Sequence, residues 1–331
     1  MRYAQAEKME IIRMVEDSQL PVKRTLEELD VNRSTFYNWY RRYLDDGYEG
    51  LANRRPEPER FWNKIPVTIK EQIVDMALEY PEKSPRELAW HITDTQGYYI
   101  SESSVYRILK AYDLITSPAY IVLSARDRFT HQTSRVHELW QTDFTYLKVV
   151  GWGWYYLSTV LDDYSRYVIS WKLFTRMSAG DVKEILDMAI EKTGITSVKV
   201  KYRPRLLTDN GPCYLAGELR EYLLKYGMTH VRGAPYHPMT QGKIERYHRS
   251  MKNMIQLQNY YLPDELEAGI SGFVDYYNNQ RYHESLENLK PADVYFGWDK
   301  QIKDERKRIK KKTLQMRKIE NLKWQKNEMA L

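Results

Sequence analysis

The 331-residue sequence contains a single cysteine, Cys213. One cysteine excludes an internal disulfide and every zinc site that uses several cysteines. No segment approaches the roughly 18 consecutive apolar residues of a membrane-spanning helix, and the start of the sequence lacks the apolar core of a signal peptide. These absences predict a cytoplasmic protein.

A loop of the form G-x-x-x-x-G-K-[ST], which binds nucleotide phosphates, is also missing from the sequence. We therefore expect no nucleotide cofactor. The hydrophobic fraction of 42% is ordinary for a soluble globular chain. The length allows two or three domains.

The net charge of +6 is unevenly distributed along the chain. Residues 1–115 contain 17 basic and 20 acidic residues, whereas residues 201–331 contain 24 basic and 16 acidic residues. The basic character therefore belongs to the C-terminal part. A nucleic-acid partner fits this balance, although the balance alone does not prove one.

Residues 1–50 show the pattern of a helix-turn-helix domain. Helical periodicity over residues 5–17 is followed by a second helix after Pro21, and Asn32 is a suitable N-cap for a third helix. The candidate contacts to bases and phosphates on this third helix are Arg33, Thr35, Asn38 and Arg42. A plain three-helix bundle with solvated polar positions is the alternative.

A second helix-turn-helix pattern covers residues 67–115. Ser84 and Ser101 are start signals for two of its helices. The candidate DNA contacts on the last helix are Ser104 and Arg107. Two such modules in tandem would read a longer DNA site than either module alone.

Linkers separate the predicted domains. Residues 51–66 are rich in turn-forming and charged residues, and they include the candidate phosphate contacts Arg54 and Arg55. Residues 116–137 have little periodicity and form a second predicted linker. A core follows at residues 138–298, and a basic tail covers residues 299–331.

The core begins with a strand pattern. Runs rich in Tyr, Val and Ile at residues 142–150, 154–162 and 166–174 predict an antiparallel meander. Strands then alternate with helical segments, and this order predicts a mixed sheet flanked by helices.

Three carboxylates in the core differ from their surroundings. Asp143 interrupts a strand pattern, although Asp is depleted in strands. Asp209 precedes an Asn-Gly turn signal, and Glu245 lies in a helical pattern. Brought together, they would form a hard oxygen site suited to Mg²⁺ or Mn²⁺. Each alone also has an ordinary explanation, as an edge-strand residue, a turn or a solvated helix face.

Four motifs occur in order around these carboxylates. They are W-x-x-D-x-T at 140–145, L-x-D-x-S-R at 161–166, T-D-N-G at 208–211 and H-P-x-T-x-G-x-x-E at 237–245. Thirty-five residues separate Asp209 from Glu245. In these motifs the sequence resembles the DDE transposases and retroviral-type integrases, most closely the IS3 and IS481-like bacterial insertion-sequence transposases. The single cysteine excludes the His/Cys zinc module of the retroviral enzymes.

The resemblance implies a multidomain α plus α/β protein, with tandem helix-turn-helix modules, a ribonuclease H-like mixed sheet and a basic C-terminal tail. In that fold the fourth strand lies beside the first. The resemblance also implies that Asp143, Asp209 and Glu245 are catalytic and hold two Mg²⁺ or Mn²⁺ ions, with Asp143 shared between the ions. Asp162 and Asp163 fit a turn better than a metal site.

The resemblance further implies that residues near Glu245 touch the end of the DNA. These candidate contacts are His237, Gln241, Lys243, Arg246, Arg249 and Lys252. A solvated helix face explains any single one of them equally well. The basic tail is either solvated or a helix lying along phosphates.

The expected function is that of a bacterial, nucleoid-associated DNA transposase acting as a homo-oligomer on double-stranded DNA. It would bind the element's terminal inverted repeats, free the 3′ ends and join them to target DNA as a polynucleotidyl transferase. Transesterification conserves the number of phosphodiester bonds, so no nucleotide hydrolysis is required. The alternatives are a metal-dependent nuclease of the same fold and a catalytically inactive DNA-binding regulator.

Overall fold

A computed structural model of the chain describes residues 3–53, 62–115, 133–195, 203–232 and 242–328. Four of the candidate DNA contacts lie outside the described residues, namely Arg54, Arg55, His237 and Gln241. The chain divides into two compact units, Met1–Trp62 and Asn63–Leu331.

The first unit is a three-helix domain. Its helices are α1 (Gln5–Asp17), α2 (Val22–Glu28) and α3 (Arg33–Asp46), followed by a 3-10 turn at Gly47–Leu51. Asn32 caps α3, because its side chain accepts a hydrogen bond from the Ser34 backbone N–H at 2.9 Å. Phe36 and Trp39 pack against the buried Ile12. Phe36 and Trp39 therefore lie on the buried face of α3.

The second unit begins with another helical module. Its helices are α4 (Val67–Glu79), α5 (Pro85–Gln96) and α6 (Glu102–Ala111). The side chains of Ser84 and Ser101 cap α5 and α6, as their positions before the helical patterns predict. Leu88, Ile92 and Val105 form part of the module's own apolar core.

A five-stranded mixed sheet follows in the order β3-β2-β1-β4-β5. The strands are β1 (Leu139–Val149), β2 (Gly153–Asp162), β3 (Val168–Phe174), β4 (Arg205–Thr208) and β5 (Thr229–Arg232). The first three are antiparallel, whereas β4 pairs in parallel with both β1 and β5. The predicted meander and the predicted place of the fourth strand beside the first are confirmed. The sheet has the ribonuclease H-like arrangement.

Helices cover both faces of this sheet. They are α7 (Ala179–Thr193), α8 (Pro212–Leu215), α9 (Gly217–Lys225), α10 (Gly242–Ile255), α11 (Pro263–Asn279) and α12 (Pro291–Tyr295). On one face, Trp140 and Val160 pack with Ile185 of α7. On the other face, Leu147 packs with Met251 of α10. Because side chains alternate along each strand, β1 contributes to both cores.

The basic C-terminal stretch forms a long helix, α13 (Asp299–Glu328). Three of its polar residues, Arg306, Thr313 and Arg317, are buried. Thr313 Oγ1 accepts a hydrogen bond from the Tyr99 backbone N–H at 3.0 Å, and Arg317 Nη2 donates to the Tyr99 carbonyl at 2.7 Å. This stretch is therefore helical and packs on the second helical module. No helix in the described ranges combines the length and apolarity needed to cross a membrane.

Candidate active site

Asp143 and Asp209 are brought side by side by the parallel pairing of β1 with β4. The pairing aligns Gln141 with Leu207. When this register is continued for two residues, Asp143 lies beside Asp209, which directly follows β4. The two carboxylates thus stand at neighbouring positions where the parallel part of the sheet ends.

The electrostatics of this pair set Asp209 apart from an ordinary turn residue. Desolvation of its carboxyl raises the pKa of Asp209, and the negative charge of Asp143 raises it further. A hydrogen bond that the Gly211 backbone N–H donates at 2.9 Å offsets part of this shift. A Cβ at position 211 would stand 3.0 Å from Asp209 Oδ1, so a larger residue there would require the carboxylate to shift slightly.

Glu245 lies in the first turn of α10 and is exposed. One turn further along, the buried His248 places its Nδ1 3.5 Å from Asp143 Oδ2. Within the described ranges, no three His, Cys, Asp or Glu side chains converge closely enough to hold a metal ion. The structure therefore brings Asp143 and Asp209 together, whereas Glu245 stands on the neighbouring helix outside that pair.

The donors of the pair fit a divalent metal in chemical type. Asp143 and Asp209 offer carboxylate oxygens, which are the ligands that Mg²⁺ and Mn²⁺ prefer. A cation bound by both would relieve the repulsion that raises the pKa of Asp209.

Asp162 and Asp163 are buried and have protein donors for their carboxylates. Asp162 accepts hydrogen bonds from the backbone N–H and hydroxyl of Ser165, at 2.9 and 2.7 Å, and from the His137 backbone N–H at 2.8 Å. Burial raises the pKa of Asp162, and these hydrogen bonds offset part of that rise. This arrangement supports the interpretation of a structural turn.

Asp163 forms a second buried group, called here the Asp163 cluster, with Gln141 and Lys243. Its carboxylate accepts from Gln141 Nε2 at 2.7 Å and from Lys243 Nζ at 2.5 Å. Gln141 Oε1 in turn accepts from the Ile244 backbone N–H at 3.2 Å. Gln141 lies two residues before Asp143, and Ile244 lies next to Glu245. The cluster therefore ties the start of α10 to the strand that carries the first carboxylate.

The candidate DNA contacts of the first unit lie on its surface. Arg33, Asn38 and Arg42 are exposed on α3, and Thr35 is half-buried. The Arg33 guanidinium also lies over the Tyr37 ring, 5.6 Å from its centroid. These side chains are accessible to a DNA backbone and to base edges.

The candidate contacts on α6 differ from each other. Arg107 is exposed, whereas Ser104 is half-buried with its hydroxyl 2.8 Å from that of Ser101 at the helix start. Arg107 also lines a groove of 1370 Å³ between this module and the core segment Arg281–Glu284. Arg86 crosses the groove with ion pairs to Glu102 on the module and Glu284 on the core.

The candidate contacts on α10 are divided between surface and interior. Arg246 and Arg249 are exposed, and Lys252 is half-buried with its Nζ 4.3 Å from the centroid of the Tyr146 ring. The Lys243 side chain is only 11% exposed and is paired with Asp163. Desolvation lowers the pKa of Lys243, and the nearby Arg166 lowers it further, whereas Asp163 acts in the opposite direction. The structure therefore gives Lys243 an interior role.

Two residues beside the predicted carboxylates were missed by the sequence analysis. Gln141 is a polar residue that directly follows the apolar Leu139 and Trp140 in β1, and its side chain is fully buried. His248 follows Glu245 by three residues, so it shares one helix face with Glu245. The polar interruption of an apolar pattern is the signal for both residues, but it does not reveal their partners.

Residues 133–238 and residues 226–291 each match an integrase core domain. Residues 2–52 and residues 35–109 each match a homeodomain-like domain. The two integrase core matches together extend from residue 133 to residue 291 and include Asp143, Asp209 and Glu245. The chain's helix-turn-helix domains precede the integrase core, and the resemblance to the IS3-like DDE transposases is confirmed.

The chain shares sequence with curated relatives over part of their length. The putative transposase InsK for insertion sequence element IS150 of Escherichia coli K12 is 26% identical over 163 residues, which are 49% of this chain and 56% of InsK. The Gag-Pro-Pol polyprotein of mouse mammary tumor virus is 29% identical over 134 residues, which are 39% of this chain and 7% of the polyprotein. The chain thus matches less than two thirds of the length of these relatives.

Among solved structures, the chain is similar to the HTLV-2 integrase catalytic core domain in complex with magnesium. The two are 22% identical with a TM-score of 0.39, and the match covers 49% of this chain and 97% of that domain. The catalytic core domain of BIV integrase is 24% identical with a TM-score of 0.37, over 50% of this chain and 97% of that domain.

Proposed function

We propose that this protein is a DNA transposase that binds the terminal inverted repeats of an insertion sequence, cleaves the 3′ ends and transfers them to target DNA. The observation that carries the proposal is the pair of carboxylates, Asp143 and Asp209, at the end of the parallel strands of an integrase core domain. The helix-turn-helix domains that precede the core support DNA as the substrate.

Asp143, Asp209 and Glu245 would hold divalent metal, with Asp143 as the shared ligand of two ions. Bound metal supplies Lewis-acid activation of the attacking oxygen and charge stabilisation of the leaving 3′ oxygen. Asp143 lies on the central strand of the sheet and Asp209 directly follows the neighbouring strand β4, so the sheet holds these two carboxylates at neighbouring positions. Glu245 would approach from α10, whose start the Asp163 cluster ties to β1.

Both proposed reactions are displacements at phosphorus by an oxygen nucleophile. Water attacks first and releases the 3′ hydroxyl at the element's end, and that hydroxyl then attacks a phosphodiester of the target. Such reactions depend on positioning and charge stabilisation more than on a protein nucleophile. The exposed Arg246 and Arg249 near Glu245 would hold the DNA backbone against the carboxylates.

The test is cleavage and joining of labelled terminal-repeat DNA in Mg²⁺ and in Mn²⁺, with the repeat read from the DNA that flanks the gene. Asp143→Asn, Asp209→Asn and Glu245→Gln should each abolish detectable cleavage and strand transfer, because losing a metal ligand costs several kcal/mol of transition-state stabilisation. Glu221→Gln, on an exposed position of α9, is the matched control and should keep full activity.

The rival functions give different results in the same assay. A nuclease of this fold would cleave the labelled ends without joining them to target DNA. A DNA-binding regulator would bind the repeats and produce neither product. Robust strand transfer by any of the three carboxylate variants would disprove the site assignment.

A further inference from the structure

One edge of β1 is open beyond the catalytic position. β4 pairs only with Leu139–Gln141, so from Thr142 onward this edge of β1 has no partner among the described strands. Tyr146 lies three residues beyond Asp143, or ~10 Å along the strand.

Helix α10 runs alongside this open edge. His248 contacts Asp143 with its Nδ1 3.5 Å from Oδ2. Lys252, one helical turn later, places its Nζ 4.3 Å from the centroid of the Tyr146 ring. Because His248 and Lys252 are four residues apart and share one face of α10, this helix face extends from the carboxylate pair to Tyr146.

This helix face ends at a concave site, called here the hairpin pocket, between the β1–β2 hairpin and the end of α10. The pocket has a volume of 280 Å³. Its lining includes Tyr146, Lys148 and Trp154 from the hairpin and Gln256, Gln258 and Asn259 from the segment after α10. The rings of Tyr146 and Trp154 meet edge to face, with centroids 5.4 Å apart.

The pocket has the chemistry of a site for a nucleobase. Two aromatic rings, 59% and 53% exposed at Tyr146 and Trp154, offer surfaces on which a base can stack. The side-chain amides at the rim carry both donors and acceptors for a base edge. Lys148, whose Nζ lies 5.8 Å from the Trp154 ring centroid, and Lys252 supply positive charge for the adjoining phosphates.

We propose that the hairpin pocket binds an unpaired nucleobase of the DNA strand whose phosphodiester lies at Asp143 and Asp209. This inference rests on the proposed function. A separation of ~10 Å corresponds to about three steps of stacked duplex DNA, and an unpaired, extended strand covers it in fewer nucleotides. Capturing a base at that distance would keep the end of the duplex open and would fix the strand's position at the carboxylates.

The experiment compares binding of terminal-repeat duplexes that carry one abasic site at successive positions near the cleaved end. Binding is measured without divalent metal so that no cleavage occurs. For the wild-type protein, an abasic site at one or two positions should weaken binding about 5- to 150-fold, the range expected from loss of one stacked base. Trp154→Ala should weaken binding of intact DNA similarly and should be insensitive to those same abasic positions.

Two variants of the hairpin control this experiment. Trp152→Ala removes a tryptophan that is 59% exposed on the same hairpin but does not line the pocket, so it should behave like the wild type. Trp154→Phe keeps a ring for stacking and should recover most of the affinity. If Trp154→Ala fails to fold, Tyr146→Ala takes its place in the same comparison.

Several outcomes would overturn the inference. In the first, the affinity losses from Trp154→Ala and from an abasic site multiply at every tested position, which would show that the two changes act independently. In the second, Trp152→Ala weakens DNA binding as much as Trp154→Ala does. A changed molecular mass in solution for Trp154→Ala would assign the hairpin to a contact between copies of the chain. Cleavage and joining by the wild-type protein are measured in parallel. If the wild-type protein neither cleaves nor joins the DNA, the proposed function is contradicted. If cleavage is normal but the affinity losses multiply, only the role of the hairpin pocket is contradicted.

Discussion

At the scale of single residues, Asp143 and Asp209 form a like-charged pair whose energy depends on pH and on metal. Burial and the neighbouring carboxylate raise the pKa of Asp209, so ionising Asp209 costs free energy in the folded state. Ionised Asp209 therefore lowers the free energy of unfolding at pH values above its ordinary pKa. This effect disappears at low pH, where Asp209 is protonated in both the folded and the unfolded state. Any ligand that neutralises the pair stabilises the fold.

Asp209→Asn should therefore raise the free energy of unfolding at pH 7 in metal-free buffer. This gain in the free energy of unfolding should shrink as the pH falls from the raised pKa of Asp209 in the folded state to its lower pKa in the unfolded state. Over this range the wild-type carboxyl becomes protonated. Denaturant unfolding at several pH values measures the effect. Mg²⁺ should stabilise the wild type more than the variant. A variant that is less stable than the wild type at pH 7 would contradict the electrostatic account.

The sequence predicts the pair of aspartates in this site, but it does not predict how α10 is placed against them. Asp143 and Asp209 were predicted as neighbours, and the β1–β4 pairing puts them at the same level. The place of Glu245 depends on how α10 packs on the sheet, which helical periodicity does not specify. The contact between His248 and Asp143 depends on the same packing and could not be predicted.

At the scale of secondary-structure elements, a buried ion pair in the Asp163 cluster ties α10 to the end of β2, and the hydrogen bonds of Gln141 extend this link to β1. The side chains of Lys243 and Asp163 are 11% and 6% exposed. Asp163→Asn should lower the free energy of unfolding by about 3 kcal/mol, because it leaves the Lys243 ammonium group without its buried counter-charge. Residual strand transfer should persist under folding conditions, since Asp163 is not assigned to the metal.

A double-mutant cycle separates this positioning role from a metal role. Lys243→Gln combined with Asp163→Asn removes both charges and should recover much of the lost stability, so the two effects should not add. Additive losses would show that the ion pair does not couple α10 to the end of β2. Complete loss of activity in a folded Asp163→Asn protein would assign Asp163 to the metal site.

A second junction joins α5, α13 and the core. Arg306 donates to both carboxylate oxygens of Asp94, at 2.8 and 2.7 Å, and Tyr282 Oη donates to Asp94 at 3.1 Å. Asp94→Ala should lower the free energy of unfolding by about 3–5 kcal/mol, because Arg306 would remain buried without its partner. Asp75→Ala, at an exposed position of α4, should change it by less than about 0.5 kcal/mol. Equal effects of both variants, measured in denaturant, would disprove the junction's role.

The elements were predicted unequally well, and the difference follows from the range of their interactions. Runs rich in Tyr, Val and Ile predicted β1, β2 and β3, because the pattern of each strand is local. The partners of α13 are remote, since Arg306 meets Asp94 across 212 residues of sequence and Arg317 meets Tyr98 across 219 residues. A run of basic residues does not show which of its members are buried, so the sequence left the tail undecided.

At the scale of the whole molecule, the excess of positive charge is concentrated where α13 lies. Residues 300–326 contain twelve Lys and Arg residues. Arg306 and Arg317 are buried against the second helical module, whereas Lys300, Lys311 and Lys318 are exposed along another face of the helix. This exposed stripe extends over about 27 Å, the rise of eighteen helical residues. Its length and charge suit a DNA backbone.

Replacing Lys300, Lys311 and Lys318 together by Gln should weaken binding to any DNA duplex and flatten the dependence of log K on log salt. The slope should fall by about 0.9 for each phosphate contact that is lost, or up to about 2.7 for three contacts. The triple Arg replacement keeps the charges and should preserve the slope. The measurement is a salt titration of binding to terminal-repeat and unrelated duplexes, and the losses on the two should be similar, because phosphate contacts carry no base specificity. An unchanged slope in the Gln variant would show that the stripe is solvated or contacts protein.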